Sequence, residues 1–211
     1  MNPRIVLALA AAVVTITLAS AVPVLDEESY LDIAQQLDPS RPYDWWRPWP
    51  PWGLERGADV FVYAHPPGFL IWVWAWVRLA GGIVQIAPLK IAAGLPWAML
   101  FAWSLGRLAE RTSRRPWLVS AVWVSSPIVL LSLQRGLMPD LILSALITTA
   151  VVSWLEGQTA VRRGEQIRWW MGGGLALAGA VSVKYSALIV VPALVLHQLA
   201  LRPVRGPSRS G

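Results

Sequence analysis

Six apolar runs dominate this chain, at residues 5–25, 87–105, 117–133, 137–155, 167–183 and 186–201. Each approaches the length needed to cross a hydrocarbon core of about 30 Å. Backbone N–H and C=O groups find no water there, so every such run must satisfy its own hydrogen bonds as a helix. The expected fold class is all-α: a polytopic membrane helical bundle of about six transmembrane helices. Composition agrees, because 55% of the 211 residues are hydrophobic and only 14% are charged. Fourteen tryptophans suit long residence at membrane interfaces. Cysteine is absent, which excludes a disulfide framework, Cys-ligated zinc and a thiol nucleophile. The net charge of +6 is no nucleic-acid footprint, since the basic residues fall in short clusters between apolar runs.

Those clusters orient the chain. Arg107, Arg111, Arg114 and Arg115 form one; Arg162, Arg163 and Arg168 a second; Arg202, Arg205 and Arg209 a third. Placing all three with Arg4 in the cytoplasm needs an odd number of crossings between the loop after Asp26 and Arg107. The apolar stretch 68–82 would break that parity as a span. It reads instead as a helix in the outer interface, with Trp72, Trp74 and Trp76 at that depth and Pro66-Pro67 and Gly81-Gly82 as its punctuation. The chain then divides into a transmembrane module, 1–201, and a basic cytoplasmic tail, 202–211. A long extracytoplasmic loop, 26–86, rests its Trp45, Trp46, Trp49 and Trp52 on the membrane. "LASAVP" offers Ala19 and Ala21 as a signal-peptide cleavage site. The apolar run continues through Val22, Val24 and Leu25, which favours a retained helix of an inner-membrane, multi-pass protein.

The polar residues carry what chemistry there is. In "LDEESYLDIAQQL", Tyr30, Ile33, Ala34 and Leu37 can share a helical face while Asp26, Glu27 and Asp32 find water elsewhere. Asp26 and Glu27 are either a helix cap, favoured by the dipole, or a general base at the bilayer surface. His65 in "YAHPPGF" sits in a rigid turn, as a bland surface residue or as a contact for phosphate or acceptor. In "SLQRGLMPDLIL", Arg135 and Asp140 stand at membrane depth, where ionisable groups have a partner or a function. The two lysines, Lys90 and Lys184, lie at outer ends of spans. They either snorkel or hold a lipid phosphate as point charges. Tyr185 adjoins Lys184. Gly172, Gly173, Gly174 and Gly179 allow close helix packing. His197 has no assignable partner, and no metal-ligand spacing is present.

An acidic pair after the first run, then "HPPG", "APLKIAAGL", "SPIVLLSLQRGLMPD" and "GLALAGAVSVKYSALIVVPAL", in this order, resembles the N-terminal half of the GT-C membrane glycosyltransferases. The similarity is greatest to the protein O-mannosyltransferases and the aminoarabinose transferases of lipid A. The resemblance implies an inverting transfer, without cofactor, from a polyprenyl-phosphate-linked sugar to a lipid, glycan or protein acceptor on the non-cytoplasmic face. It implies Asp26 or Glu27 as base, Lys90, Arg135 and Lys184 as holders of the carrier phosphate, and Asp140 facing the same cavity. Two departures stand out. Relatives run to several hundred residues, so a missing C-terminal half or a second copy is an expected partner. Relatives often carry Lys or Glu beside the Pro-Pro turn, where this chain has Ala64 and Phe69. A non-catalytic carrier-binding module is the alternative function. A transporter fits less well, because no inverted repeats with broken spans are evident.

Overall fold

The computed structural model describes residues 3–19, 27–36, 40, 68–82, 85–134 and 136–200. The tryptophans of the 41–60 stretch, the "LASAVP" site beyond Ala19 and the basic tail lie outside them. The described residues form an all-α membrane bundle without strands. Its elements are α1 (Pro3–Leu18), α2 (Glu27–Gln36), α3 (Gly68–Leu79), α4 (Ile86–Thr112), α5 (Pro116–Val124), α6 (Pro127–Gln134), α7 (Pro139–Thr159), α8 (Arg163–Val183) and α9 (Val190–Ala200). A 3₁₀ turn, Tyr185–Ile189, leads into α9.

Two of these helices, α4 with 27 residues and α7 with 21, are long and apolar enough to cross a membrane by themselves. At 1.5 Å per residue they extend about 40 and 32 Å. The shorter apolar helices are Arg4–Leu18, Gly68–Leu79 and Tyr185–Ala200. The 117–133 run, expected as one span, is broken in two. Pro127 has no N–H to continue the ladder and disfavours helical geometry at Ser126 before it, so α5 ends and α6 begins there.

Small residues explain why α4 is central. Gly94, Ala98, Ala102 and Gly106 recur every fourth residue and are all buried, which lets neighbouring backbones come close. At Gly106 a Cβ would lie 3.1 Å from Cγ of Arg4, so α1 crosses here. Leu7 and Ala11 of α1 join Ala98, Phe101, Ala102 and Leu105 of α4 in one buried cluster. On the other flank Ser104 Oγ lies 2.9 Å from Thr149 Oγ1 of α7. α8 runs back along α7: a Cβ on Gly173 would stand 3.1 Å from Ser153 Cβ, and one on Gly179 would stand 3.3 Å from Leu146. Gly172 and Gly174, expected to serve packing as well, meet nothing within 4 Å and face outward.

α3 has 12 residues, about 18 Å of helix, too short for a crossing. Phe69, Leu70, Val73 and Val77 are buried against Tyr30, Leu31 and Ala34 of α2 and Leu89 and Ala93 of α4. Its tryptophans therefore do more than mark an interface. Trp72 packs edge-on against Trp97, with ring centroids 5.3 Å apart. Its indole donates to the carbonyl of Ala93 at 3.1 Å, one turn before Pro96 interrupts the α4 ladder. After α3, Gly81 and Gly82 have φ of +73° and +117°. This lets Gly82 N–H reach back to the carbonyl of Val77 at 2.9 Å and close the helix.

Charged groups sort to the two ends of the bundle. At one end Arg4 donates to Glu110 at 3.1 Å, Arg107 and Arg111 both pair with Glu156, and Arg111 also donates to Thr159 at 2.8 Å. Gln166 of α8 donates to the Gly157 carbonyl at 3.2 Å, and Gln158 to Gln198 of α9 at 2.7 Å, at that same end. Glu27, Lys90, Asp140 and Lys184 occupy the opposite end.

Candidate functional site

The site end begins where α2 starts. Its buried face is Glu27, Tyr30, Leu31 and Ala34, spaced i, i+3, i+4, i+7. The expectation that Glu27 turns to water is therefore corrected. It is 0% exposed, because it falls on the apolar stripe and α4 supplies a counter-ion. That counter-ion is Lys90, one turn into α4 and 1% exposed, whose Nζ lies 2.6 Å from Glu27 Oε2. Desolvating each ion costs several kcal/mol, so only short, multiply bonded geometry can hold such a pair. A second contact meets that need: the backbone N–H of Leu137 donates to Glu27 Oε1 at 3.3 Å.

Leu137 reaches Glu27 because two glycines let backbones touch. A Cβ on Gly94 would stand 2.9 Å from Gly136 Cα, and one on Gly136 would collide with the Lys90 carbonyl oxygen. Immediately afterwards α7 starts, with Met138 extended and Pro139 in the first turn, where a missing N–H costs nothing. Asp140 lies in that first turn, favourably placed for the helix dipole. Its Oδ1 accepts from Lys184 Nζ at 3.3 Å. Lys184 closes α8 in extended conformation, and its own N–H returns to the Ala180 carbonyl. Gly68 seats on the same helix end, where a Cβ would be 2.6 Å from the Ser182 carbonyl oxygen. Tyr185 follows in the 3₁₀ turn, exposed.

The two ion pairs differ in kind. Glu27–Lys90 is sealed in the core, whereas the side chains of Lys184 and Asp140 are 34% and 47% exposed. A half-exposed pair is worth about 0–1 kcal/mol, so Lys184 can exchange Asp140 for another anion at small cost. Lys90 cannot do so without abandoning a buried carboxylate. Of the residues singled out from sequence, Glu27, Lys90, Asp140, Lys184 and Tyr185 thus gather at one end. Asp26, His65 and Arg135 lie outside the described residues. Sequence reasoning missed the Glu27–Lys90 partnership and the Gly94–Gly136 contact. The only available signal was an acid at helical spacing from Tyr30, Leu31 and Ala34.

An all-α membrane bundle with paired acids and lysines gathered at one end, carried on motifs in this order, is the framework of a GT-C membrane glycosyltransferase. The chain belongs to the dolichyl-phosphate-mannose-protein mannosyltransferase family, whose model matches residues 69–202. It is also 31% identical, over 157 residues, to an undecaprenyl phosphate-alpha-4-amino-4-deoxy-L-arabinose arabinosyl transferase of Pseudomonas aeruginosa (strain UCBPP-PA14). That alignment covers 71% of this chain and 27% of the relative, so the chain spans about a quarter of the relative's length. No solved structure matches it significantly. The family match includes Lys90, Asp140, Lys184 and Tyr185 and begins after Asp26, Glu27 and His65.

Proposed function

We propose that this multi-pass chain builds the donor end of an inverting glycosyltransferase whose active face is extracytoplasmic. The sugar comes from a polyprenyl-phosphate donor and passes to a lipid, glycan or protein acceptor. The observation that carries the reading is the half-exposed Lys184–Asp140 pair, set at the same bundle end as the start of α2. Asp26, next to Glu27 in sequence, takes the proton from the acceptor hydroxyl. The acceptor oxygen attacks the anomeric carbon, the bond to the phosphate oxygen breaks, and the polyprenyl phosphate leaves with the electron pair. Lys184, released from Asp140, and Arg135 neutralise the leaving phosphate. His65 and Tyr185 contact the substrates. The burial of Glu27 supports Asp26 over Glu27 as the base, and the burial of Lys90 supports Lys184 over Lys90 as the phosphate cation.

The test is transfer by the full-length protein in lipid vesicles, with dolichyl-phosphate-mannose and the undecaprenyl-phosphate aminoarabinose as donors. Asp26→Asn should lower turnover by about 10²–10⁴-fold, the usual range for a lost general base. Full activity in that variant would remove Asp26 from the mechanism. A second reading, a non-catalytic module that binds the lipid-linked sugar, draws on the burial of Glu27, which takes that carboxylate out of reach as a base while Lys184 stays half-exposed as a phosphate cation. It expects undecaprenyl phosphate to bind equally to wild type and Asp26→Asn, with no transfer by either.

A further inference from the structure

We propose that Glu27 and Lys90 act as one positioning unit, which holds the start of α2 in register with the start of α7. The inference rests on the reading of Asp26 as base and Lys184 as phosphate cation. It concerns what sets the distance between them.

The pair joins three segments far apart in sequence. Glu27 is the first residue of α2, Lys90 belongs to the first turns of α4, and Leu137 precedes α7 by two residues. One carboxylate bonds both others, through Oε2 to Lys90 Nζ at 2.6 Å and through Oε1 to the Leu137 N–H at 3.3 Å. Gly136 rests on the Lys90 backbone, so α4 and the turn into α7 move as one body. Asp140, three residues beyond Leu137, then carries Lys184. A chain of buried bonds therefore runs from the residue beside Asp26 to the Leu137 backbone at the entry to α7, and Lys184 rests on Asp140 just beyond it until the donor phosphate takes that place. Burial makes this chain stiff. A half-exposed pair could trade its bonds for water, whereas Glu27 and Lys90, at 0% and 1% exposure, have none within reach. Attack by the acceptor on a phosphate-bound sugar demands that base and leaving group be held at fixed separation. A displacement of about 1 Å costs on the order of 10² in rate.

The test compares four variants for kcat, donor KM, the pH dependence of kcat and thermal unfolding. Glu27→Gln and Lys90→Met each leave one buried charge without its partner. Both should lose about 10²-fold in kcat with donor KM little changed. The double variant Glu27→Gln/Lys90→Met removes both charges but keeps an amide oxygen to accept from Leu137. It should recover to within about tenfold of wild type and keep the wild-type acid limb. Glu27→Leu/Lys90→Met also removes that acceptor, and it should fold yet stay about 10²-fold slow. If a single variant fails to fold, the two doubles still decide. A Gln/Met double as inactive as Glu27→Gln, with its acid limb lost, would make Glu27 the base and overturn the proposal. A donor KM raised by every Lys90 variant would make Lys90 a phosphate ligand and overturn it too. Wild-type turnover by all folded variants would reduce the pair to a stability element. Asp26→Asn, measured alongside, reports separately on the base: its full activity would refute the proposed function whatever the Glu27 variants do.

Discussion

At the residue scale, two lysines of one chain have opposite environments, and the difference is measurable. Lys90 is sealed against Glu27, so Lys90→Met strands a buried carboxylate and should cost about 3–5 kcal/mol of stability. Lys184 keeps a third of its side chain in contact with solvent beside Asp140, and Lys184→Met should cost under about 1 kcal/mol. If Lys184 meets the donor phosphate, the same substitution should raise donor KM about tenfold or more, the loss of one charge-assisted contact. Unfolding in detergent and donor titration in vesicles check the two halves independently. A Lys184→Met protein as unstable as Lys90→Met would show that exposure misjudges the second pair.

At the element scale, helix contacts depend on where hydrogen replaces a side chain. Gly136 lies against the Lys90 backbone, which has nowhere to retreat, because moving it would pull Lys90 from Glu27. Gly136→Ala should destabilise by about 1–3 kcal/mol, as overpacking does. Gly172, in the middle of α8, has open space around its missing Cβ. Gly172→Ala should therefore stabilise by about 0.4–1 kcal/mol through the unfolded chain. Paired thermal melts decide this, and destabilisation by Gly172→Ala would mean that another surface covers that face of α8. Proline works at the same scale. Pro127 divides an apolar run into α5 and α6, which hydropathy alone reads as one helix, since it counts side chains and not the missing N–H.

At the scale of the whole molecule, the ends of the bundle carry the orientation. Arg4, Arg107, Arg111 and Glu156 mark one end, and Glu27, Lys90, Asp140 and Lys184 mark the other. With the arginine end in the cytoplasm, Ala80, exposed after α3, lies outside, and Val161, exposed between α7 and α8, lies inside. The natural chain lacks cysteine, so single-cysteine variants need no altered background. Ala80→Cys should label with an impermeant thiol reagent in intact cells, and Val161→Cys only after permeabilisation. The reverse pattern would put the Lys184–Asp140 pair on the cytoplasmic face and end the proposed mechanism.

Sequence alone determined the helical class, the membrane setting and the relationship to the glycosyltransferases. Each depends on properties that accumulate along the chain: apolar run length, tryptophans suited to membrane interfaces, and motifs in a fixed order. It also marked the acids and lysines worth attention, since ionisable groups are scarce among so many apolar residues. Tertiary structure decided which of them face substrate and which face each other. The spacing of Glu27, Tyr30, Leu31 and Ala34 is compatible with a carboxylate at the rim of an apolar face or within it. Burial wins only because α4 brings Lys90 to 2.6 Å and the Gly94–Gly136 contact brings the Leu137 N–H to the other oxygen. A buried charge is stable through its partners, and partners so distant in sequence meet only once the helices have packed.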